Sequence, residues 1–146
     1  MSCKPRSQLL TEFPELAPVF TATGSLSRET GRYAFYEYLV EVYRVGRQWS
    51  REKIRKRRTR ELQRLVDLKA APQRLHAFRA IIETTLPSLG AKTSSRWTRS
   101  LEFASAANVP AEELNHFFQT NGGMAKCARK AALEIPKRRY RRPTWD

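Results

Sequence analysis

Apolar residues recur along this chain at three- and four-residue spacings, the mark of helices that bury one face. The clearest run lies between about residues 28 and 48. Tyr36, Leu39, Val40 and Tyr43 form one series there, and Phe35, Leu39, Val42 and Trp49 form another. Together they predict a wide apolar face and place this helix at the centre of the core. Gly31 and Gly46 weaken it, and Gly46 marks a candidate bend. Farther on, Leu75, Phe78, Ile82 and Leu86 predict a helix over about 73–86, and Trp97, Leu101 and Ala104 one over about 94–107. Pro110 opens the next, with Glu112 and Glu113 in its first turn and Leu114, Phe117 and Phe118 on its apolar face. "TNGG" at 120–123 reads as a cap and turn, and a last helix covers 124–133.

No alternating strand pattern competes with these helices. The expected fold class is all-α: a compact bundle of about five to six helices with a flexible basic C-terminal tail. Residues 1–27, punctuated by Pro5, Pro14, Pro18 and Gly24, read as an N-terminal arm holding at most a short helix around 8–13. Residues 28–135 read as the helical domain, entered through Ser25 or Ser27 as an N-cap, and 136–146 as the tail.

The segment "SREKIRKRRTRELQRL" at 50–65 breaks the ordinary pattern. It holds eight cations, Arg51, Lys53, Arg55, Lys56, Arg57, Arg58, Arg60 and Arg64, against Glu52 and Glu61. Ser50 is its candidate N-cap, although the segment can equally continue the preceding helix, and its end is expected near Lys69. On a helical wheel with Ile54 at zero, Leu62, Leu65 and Leu68 form the stripe to be buried. Arg58 and Arg51 fall on the stripe side and Arg55 flanks it. Lys56, Arg60, Lys53, Arg64 and Arg57 cover the far half. A helix with Ile54 as the sole apolar anchor of its first ten residues calls for a partner that surrounds or tracks it. Arginine forks suit bidentate phosphate contact.

Charge extends this reading to the whole chain. Its 146 residues carry 28 Lys and Arg against 14 Asp and Glu, a net charge of +14. Such an imbalance favours a polyanionic partner, of which nucleic acid is the commonest. The surplus is uneven: residues 28–69 hold 13 basic and 6 acidic side chains, and residues 1–27 balance. A second candidate contact is "AKTSSRWTRS", where Lys92, Arg96 and Arg99 stand among hydroxyls beside Trp97. The tail supplies a third in Lys137, Arg138, Arg139, Arg141 and Arg142, with Tyr140 and Trp145 available for stacking.

Residues 110–133 read as helix, glycine turn, helix, the layout of a helix-turn-helix. In that register Lys126, Arg129 and Lys130 would face DNA, while Ala125, Ala128 and Ala132 permit close packing. The run from Gly122 and Gly123 through Ala128 and Arg129 is also similar to the opening helices of small Cro-like repressors. That resemblance implies that the following helix would be the reader. Here it would begin at "EIPKRRYRRP", where Pro136 and Pro143 leave little room for one.

Other chemistry is not indicated. Cys3 and Cys127 lie far apart, and with only His76 and His116 they build no metal-spaced cluster. Cys127 reads as a small buried residue. Glu112 and Glu113 are adjacent and diverge on a helix, so they suit its dipole better than acid–base work. No enzyme, cofactor or metal is expected. There is no 18-residue apolar run and no apolar leader in MSCKPRSQLLTEF, so a cytoplasmic protein with no membrane partner is expected, nucleoid-associated if bacterial. The expected function is nucleic-acid binding, DNA preferred over RNA, mainly through backbone phosphates, in a regulatory or architectural role. The alternative is a protein-interaction module: a helical subunit of a nucleoprotein complex, or an inhibitor gripping an acidic surface.

Overall fold

The computed structural model describes residues 6–28, 32–66 and 76–134, and every regular element among them is helical. Eight α-helices follow one another: α1 (Arg6–Glu12), α2 (Ala17–Arg28), α3 (Arg32–Arg51), α4 (Arg55–Val66), α5 (Ala77–Thr85), α6 (Ala91–Ala106), α7 (Leu114–Thr120) and α8 (Met124–Glu134). Short 3-10 turns at Pro14–Leu16 and Ala111–Glu113 lead into α2 and α7. The far end of the basic helix near Lys69, the first residues of the helix expected from 73, and the basic tail lie outside the described residues. The chain divides at Gly90 into two compact units, residues 1–90 and 91–146.

The two helices beyond the expected six come from residues 6–28. The prolines read there as interruptions instead start helices, where a missing N–H costs nothing. Pro14 opens its 3-10 turn and Pro18 lies in the first turn of α2. Leu9, Phe13, Leu16, Val19 and Phe20 are buried, so this segment is part of the first unit's core.

Within the first unit α2 packs on α3, α4 on α5, and α5 also meets α3 and α2. The apolar face of α3 is the one its spacing predicts: Tyr36, Leu39, Val42, Tyr43 and Trp49 are buried, while Phe35 stays at the surface. Tyr38 joins them. Its hydroxyl lies 2.6 Å from Thr85 Oγ1. The Thr85 hydroxyl itself donates to the Ile81 carbonyl at 2.8 Å, so Tyr38 is the donor of the pair. Gly46 is no bend; α3 runs through it. It is a point of close approach, because a Cβ there would overlap the ring of Phe78. That ring stacks on Tyr43 at 5.8 Å and on His76 at 4.9 Å. His76 caps α5, its Nδ1 accepting from the Phe78 N–H.

Helix α3 ends three residues later than expected, and Ser50 and Arg51 are its last residues rather than the start of the next helix. The Ile54 N–H bonds the Trp49 carbonyl at 3.0 Å and the Lys53 N–H bonds the Ser50 carbonyl at 3.1 Å. This paired pattern is a Schellman cap, with Lys53 in the left-handed position at φ 60°. Helix α4 starts immediately afterwards.

In the second unit α6 and α8 pack closely because small residues face one another: Ser94, Ser100 and Ala104 on α6, with Cys127, Ala128 and Ala131 on α8. The Ser100 hydroxyl also reaches the Met124 carbonyl at 2.9 Å. Trp97, Leu101, Leu114 and Phe118 complete this core. Burial raises the thiol pKa of Cys127, with Lys130 opposing it, so the group is a structural one. Ala125, expected at a packing position, is exposed.

Gly46→Ala is expected to destabilise the first unit by about 1–3 kcal/mol, the usual cost of forcing extra volume into a filled core; urea unfolding measures it. Burial also pushes the Tyr38 phenol well above its ordinary range, its hydrogen bond with Thr85 opposing. Below the unfolded-state value near pH 10 this has no effect on stability. Above it the unfolded chain loses a proton that the folded chain keeps, so stability falls by up to about 1.4 kcal/mol per pH unit. Tyr38→Phe is expected to flatten that alkaline slope in urea midpoints compared between pH 9 and 11.

Candidate nucleic-acid interface

The geometry of the basic segment is decided by Arg58. Its guanidinium turns inward onto Glu15, with Nη2 at 2.8 Å and Nε at 3.2 Å from Oε2. Nη1 reaches Glu61 Oε1 at 3.1 Å, and Nη2 also donates to the Glu12 carbonyl at 3.0 Å. The Phe13 ring lies under the plane, 4.1 Å from Cζ. Glu15 Oε2 takes one more donor, the Trp49 indole N–H at 2.9 Å, and Trp49 in turn leans on Phe13 at 6.2 Å. Desolvation works against the Arg58 charge. Hydrogen bonds and charge from Glu15 and Glu61 outweigh it, so its pKa lies above the ordinary arginine value. Both side chains are about four-fifths covered, at 20% and 18% exposure, so water screens the pair only in part.

This clasp fixes how α4 is rolled. With Arg58 at zero, Glu61, Leu65, Leu62, Arg55 and Thr59 fall between about −60° and +100° at 100° per residue. Those positions are buried or half-buried. Lys56, Arg60, Arg64 and Arg57 fall between about 160° and 260°, and all four are exposed. They span about 12 Å of helix at 1.5 Å per residue. Arg51 and Lys53, on the cap between α3 and α4, are exposed as well. The cations do not surround the helix. One is spent inside, one is half-covered, and the rest share an outer strip or the corner that leads into it.

Beside the strip is an open cleft of about 540 Å³ between the 3-10 turn at Pro14–Leu16 and the α3–α4 corner. Trp49, Ile54 and Pro14 supply its apolar wall, and Glu15, Glu52 and Glu61 its acidic groups. Gln48 Nε2 donates to Glu52 Oε2 at 3.2 Å along the α3 side of it.

The second unit carries two smaller groups. Lys92, Arg96 and Arg99 lie within about 60° of one another on α6, the first two exposed and Arg99 half-buried. The hydroxyls beside them do not frame a helix start, because α6 begins at Ala91. Ser94 and Thr98 are buried, and Thr98 donates to the Ser94 carbonyl at 2.8 Å. Trp97 is buried too, which withholds it from stacking on a base. On α8, Lys126 and Arg129 are exposed, while Lys130 Nζ is tied to Asn121 Oδ1 at 3.0 Å. The glycine turn is as expected: Gly122 and Gly123 both have positive φ, and they join α7 to α8. However, α8 packs chiefly along α6 rather than α7. Lys137, Arg138, Arg139, Arg141 and Arg142 lie outside the described residues.

Protein-family models, curated proteins and solved structures give no match to this chain. Among the described residues no group of His, Cys, Asp and Glu could hold a metal ion, and no helix is long and apolar enough to cross a membrane.

Sequence reasoning missed the clasp, and one signal could have found it. Arg58 fell on the stripe that had to be buried, and a buried arginine needs an acid. The charge-balanced first 27 residues held two acids, Glu12 and Glu15. Arg58→Ala is expected to cost the first unit about 2–4 kcal/mol in urea unfolding, since it removes a partly buried charge pair together with its hydrogen bonds. Arg58→Lys should recover less than half, because one ammonium cannot span Glu15, Glu61 and the Glu12 carbonyl together.

Proposed function

We propose that the protein binds nucleic acid, duplex DNA in preference to RNA, mainly through backbone phosphates. The observation that carries this reading is the sorting of charge on α4. The one arginine needed for folding is turned inward, and Lys56, Arg57, Arg60 and Arg64 are left together on one open face. Like charges at three- and four-residue spacing each oppose the helix by a few tenths of a kcal/mol, and a phosphate backbone laid along them offsets that cost. Arg51 and Lys53 extend the strip. Lys92, Arg96 and Arg99 of the second unit, and the tail cations, add further phosphate contacts on this reading.

What supports a duplex is that Trp49, Trp97, Tyr38, Tyr43 and Phe118 are committed to the cores, which leaves Phe35 as the exposed large aromatic among the described residues, with Tyr140 and Trp145 outside them. Lys126 and Arg129, exposed after the glycine turn, would add DNA contacts from a helix-turn-helix-like pair. On this reading the protein acts as a regulator or an architectural or accessory factor on DNA in the cytoplasm.

Six contacts from the strip and corner would make affinity for duplex DNA fall about 10³-fold between 50 and 200 mM salt. The joint exchange of Lys56, Arg57, Arg60 and Arg64 to Gln is expected to lower the log–log salt slope by about 3–4 and to leave the fold intact. Fluorescence anisotropy with a labelled 20-base-pair duplex measures both. A shallow slope in the parent protein, or an unchanged slope in the variant, would overturn the proposal. Retained capture of an acidic protein with no DNA binding would favour the interaction-module reading.

A further inference from the structure

Among the described residues three helices end in the same backbone motif, and one of the three carries an unexpected residue. After α7 the Gly123 N–H bonds the Phe118 carbonyl at 2.8 Å and the Gly122 N–H bonds the Gln119 carbonyl at 3.2 Å. Gly122 takes the left-handed position at φ 89°. After α6 the Val109 N–H bonds the Ala104 carbonyl at 3.1 Å, the Asn108 N–H bonds the Ser105 carbonyl at 2.9 Å, and Asn108 sits at φ 58°. Glycine and asparagine are the residues that tolerate this conformation. After α3 the same pair of bonds closes around Lys53 at φ 60°. A long side chain with a Cβ pays a steric penalty at that position.

Lys53 is exposed, and it stands where the corner feeds into the outer strip of α4. Arg57 lies four residues ahead of it and Lys56 three. On the surface its ammonium has no packing role that would repay the backbone. A cation near a helix C-terminus gains something from the dipole, which is the competing explanation and predicts the opposite sign for stability. Strained backbone of this kind persists where surrounding structure over-determines it, and it concentrates at binding sites. Here the surrounding structure is the clasp: Trp49, the carbonyl acceptor of the cap, is held by Glu15, which also holds Arg58 one turn into α4.

We infer that Lys53 is a phosphate contact retained against the stability of its own cap. The corner presents its ammonium at the entrance of the strip on a backbone closed by the two cap hydrogen bonds. This inference rests on the polyanion reading above and assigns a distinct position to one residue of that surface.

The experiment compares Lys53→Gly, Lys53→Asn and Lys53→Arg in the full chain, by urea unfolding and by anisotropy titration with the same 20-base-pair duplex. Lys53→Gly is expected to raise the folding equilibrium constant about two- to fivefold, since it relieves the left-handed Cβ. It should also weaken DNA binding about five- to tenfold at 0.1 M salt and lower the salt slope by about one, the loss of one phosphate contact. Lys53→Asn, neutral but tolerant of the same φ, should lose the same affinity, which separates charge from backbone freedom. Lys53→Arg should bind like the parent protein and gain no stability. Asn108→Gly serves as the control cap and should leave affinity unchanged. A stabilised Lys53→Gly variant that binds with parental affinity and slope overturns this inference alone. A destabilised one assigns Lys53 to the helix dipole and overturns it too. If the parent protein shows no salt-dependent binding, the polyanion reading itself falls, and this inference with it.

Discussion

One carboxylate oxygen organises the first unit. Glu15 Oε2 accepts from the Trp49 indole and from two nitrogens of Arg58, so a turn near the N-terminus, the end of α3 and the start of α4 share a single acceptor. Charge-assisted bonds to a partly covered oxygen are stronger than neutral ones, and they are directional. Because Nε and Nη2 both address the same oxygen while Nη1 addresses Glu61, the guanidinium plane is fixed and not merely attracted. A fixed plane on a residue of α4 is a fixed roll of α4. The Phe13 ring beneath it closes the last soft direction. The clasp therefore sets what faces inward, and by subtraction what faces out.

The outward face follows from helical arithmetic. Once Arg58 points in, positions two before, one before, two after and six after it share the opposite side. Those positions are Lys56, Arg57, Arg60 and Arg64. Nothing apolar interrupts them, and the nearest acids are occupied: Glu61 is bonded to Arg58, and Glu52 to Gln48. The strip is thus a surface whose neutralising groups are engaged elsewhere. Arginine and lysine stems can lie along the helix while their heads stay in water, so the strip remains soluble without a partner. The repulsion it carries is small per pair. It is cumulative, and a counter-charge of matching extent removes all of it at once.

Helix spacing was legible in the sequence because burial imposes it: α3, α5, α6 and α7 carry the faces their apolar periods specify, while α8 buries Cys127 and Ala131 beside Ala128 and leaves Ala125 outside. What could not be read from periodicity was any feature set by a distant residue. The prolines at 14 and 18 look like breaks until they are seen at helix starts. Gly46 looks like a bend until Phe78, thirty-two positions on, is found against it. Ser50 looks like a cap, yet the helix runs past it, and the stop comes from Lys53 adopting a conformation that its residue type does not favour. The cations of α4 followed the same rule. The wheel alone placed five of them on the far half, and it also placed Arg58 among the leucines. Only the fold supplies the acid that makes this position sensible.

The two units differ in how they hold charge, and on the proposed reading that difference divides their roles. In the first, Arg58 is turned inward to orient a helix, and the exposed cations form a strip with no apolar side chain among them. On the proposed reading such a surface would respond to the density and spacing of phosphate charge, and base identity would not enter. In the second, α8 keeps one face of small residues against α6 and offers Lys126 and Arg129 beside exposed Ala125 and Leu133. Mixed small, apolar and basic side chains on one exposed helix are the kind of surface that can distinguish base edges, since a donor and a methyl-contacting group are presented together. Lys130, tied to Asn121, is withdrawn from that face, which leaves few groups to read with. On this chemistry affinity would come from the first unit. On the same reading, discrimination between sequences would fall to the exposed side of α8.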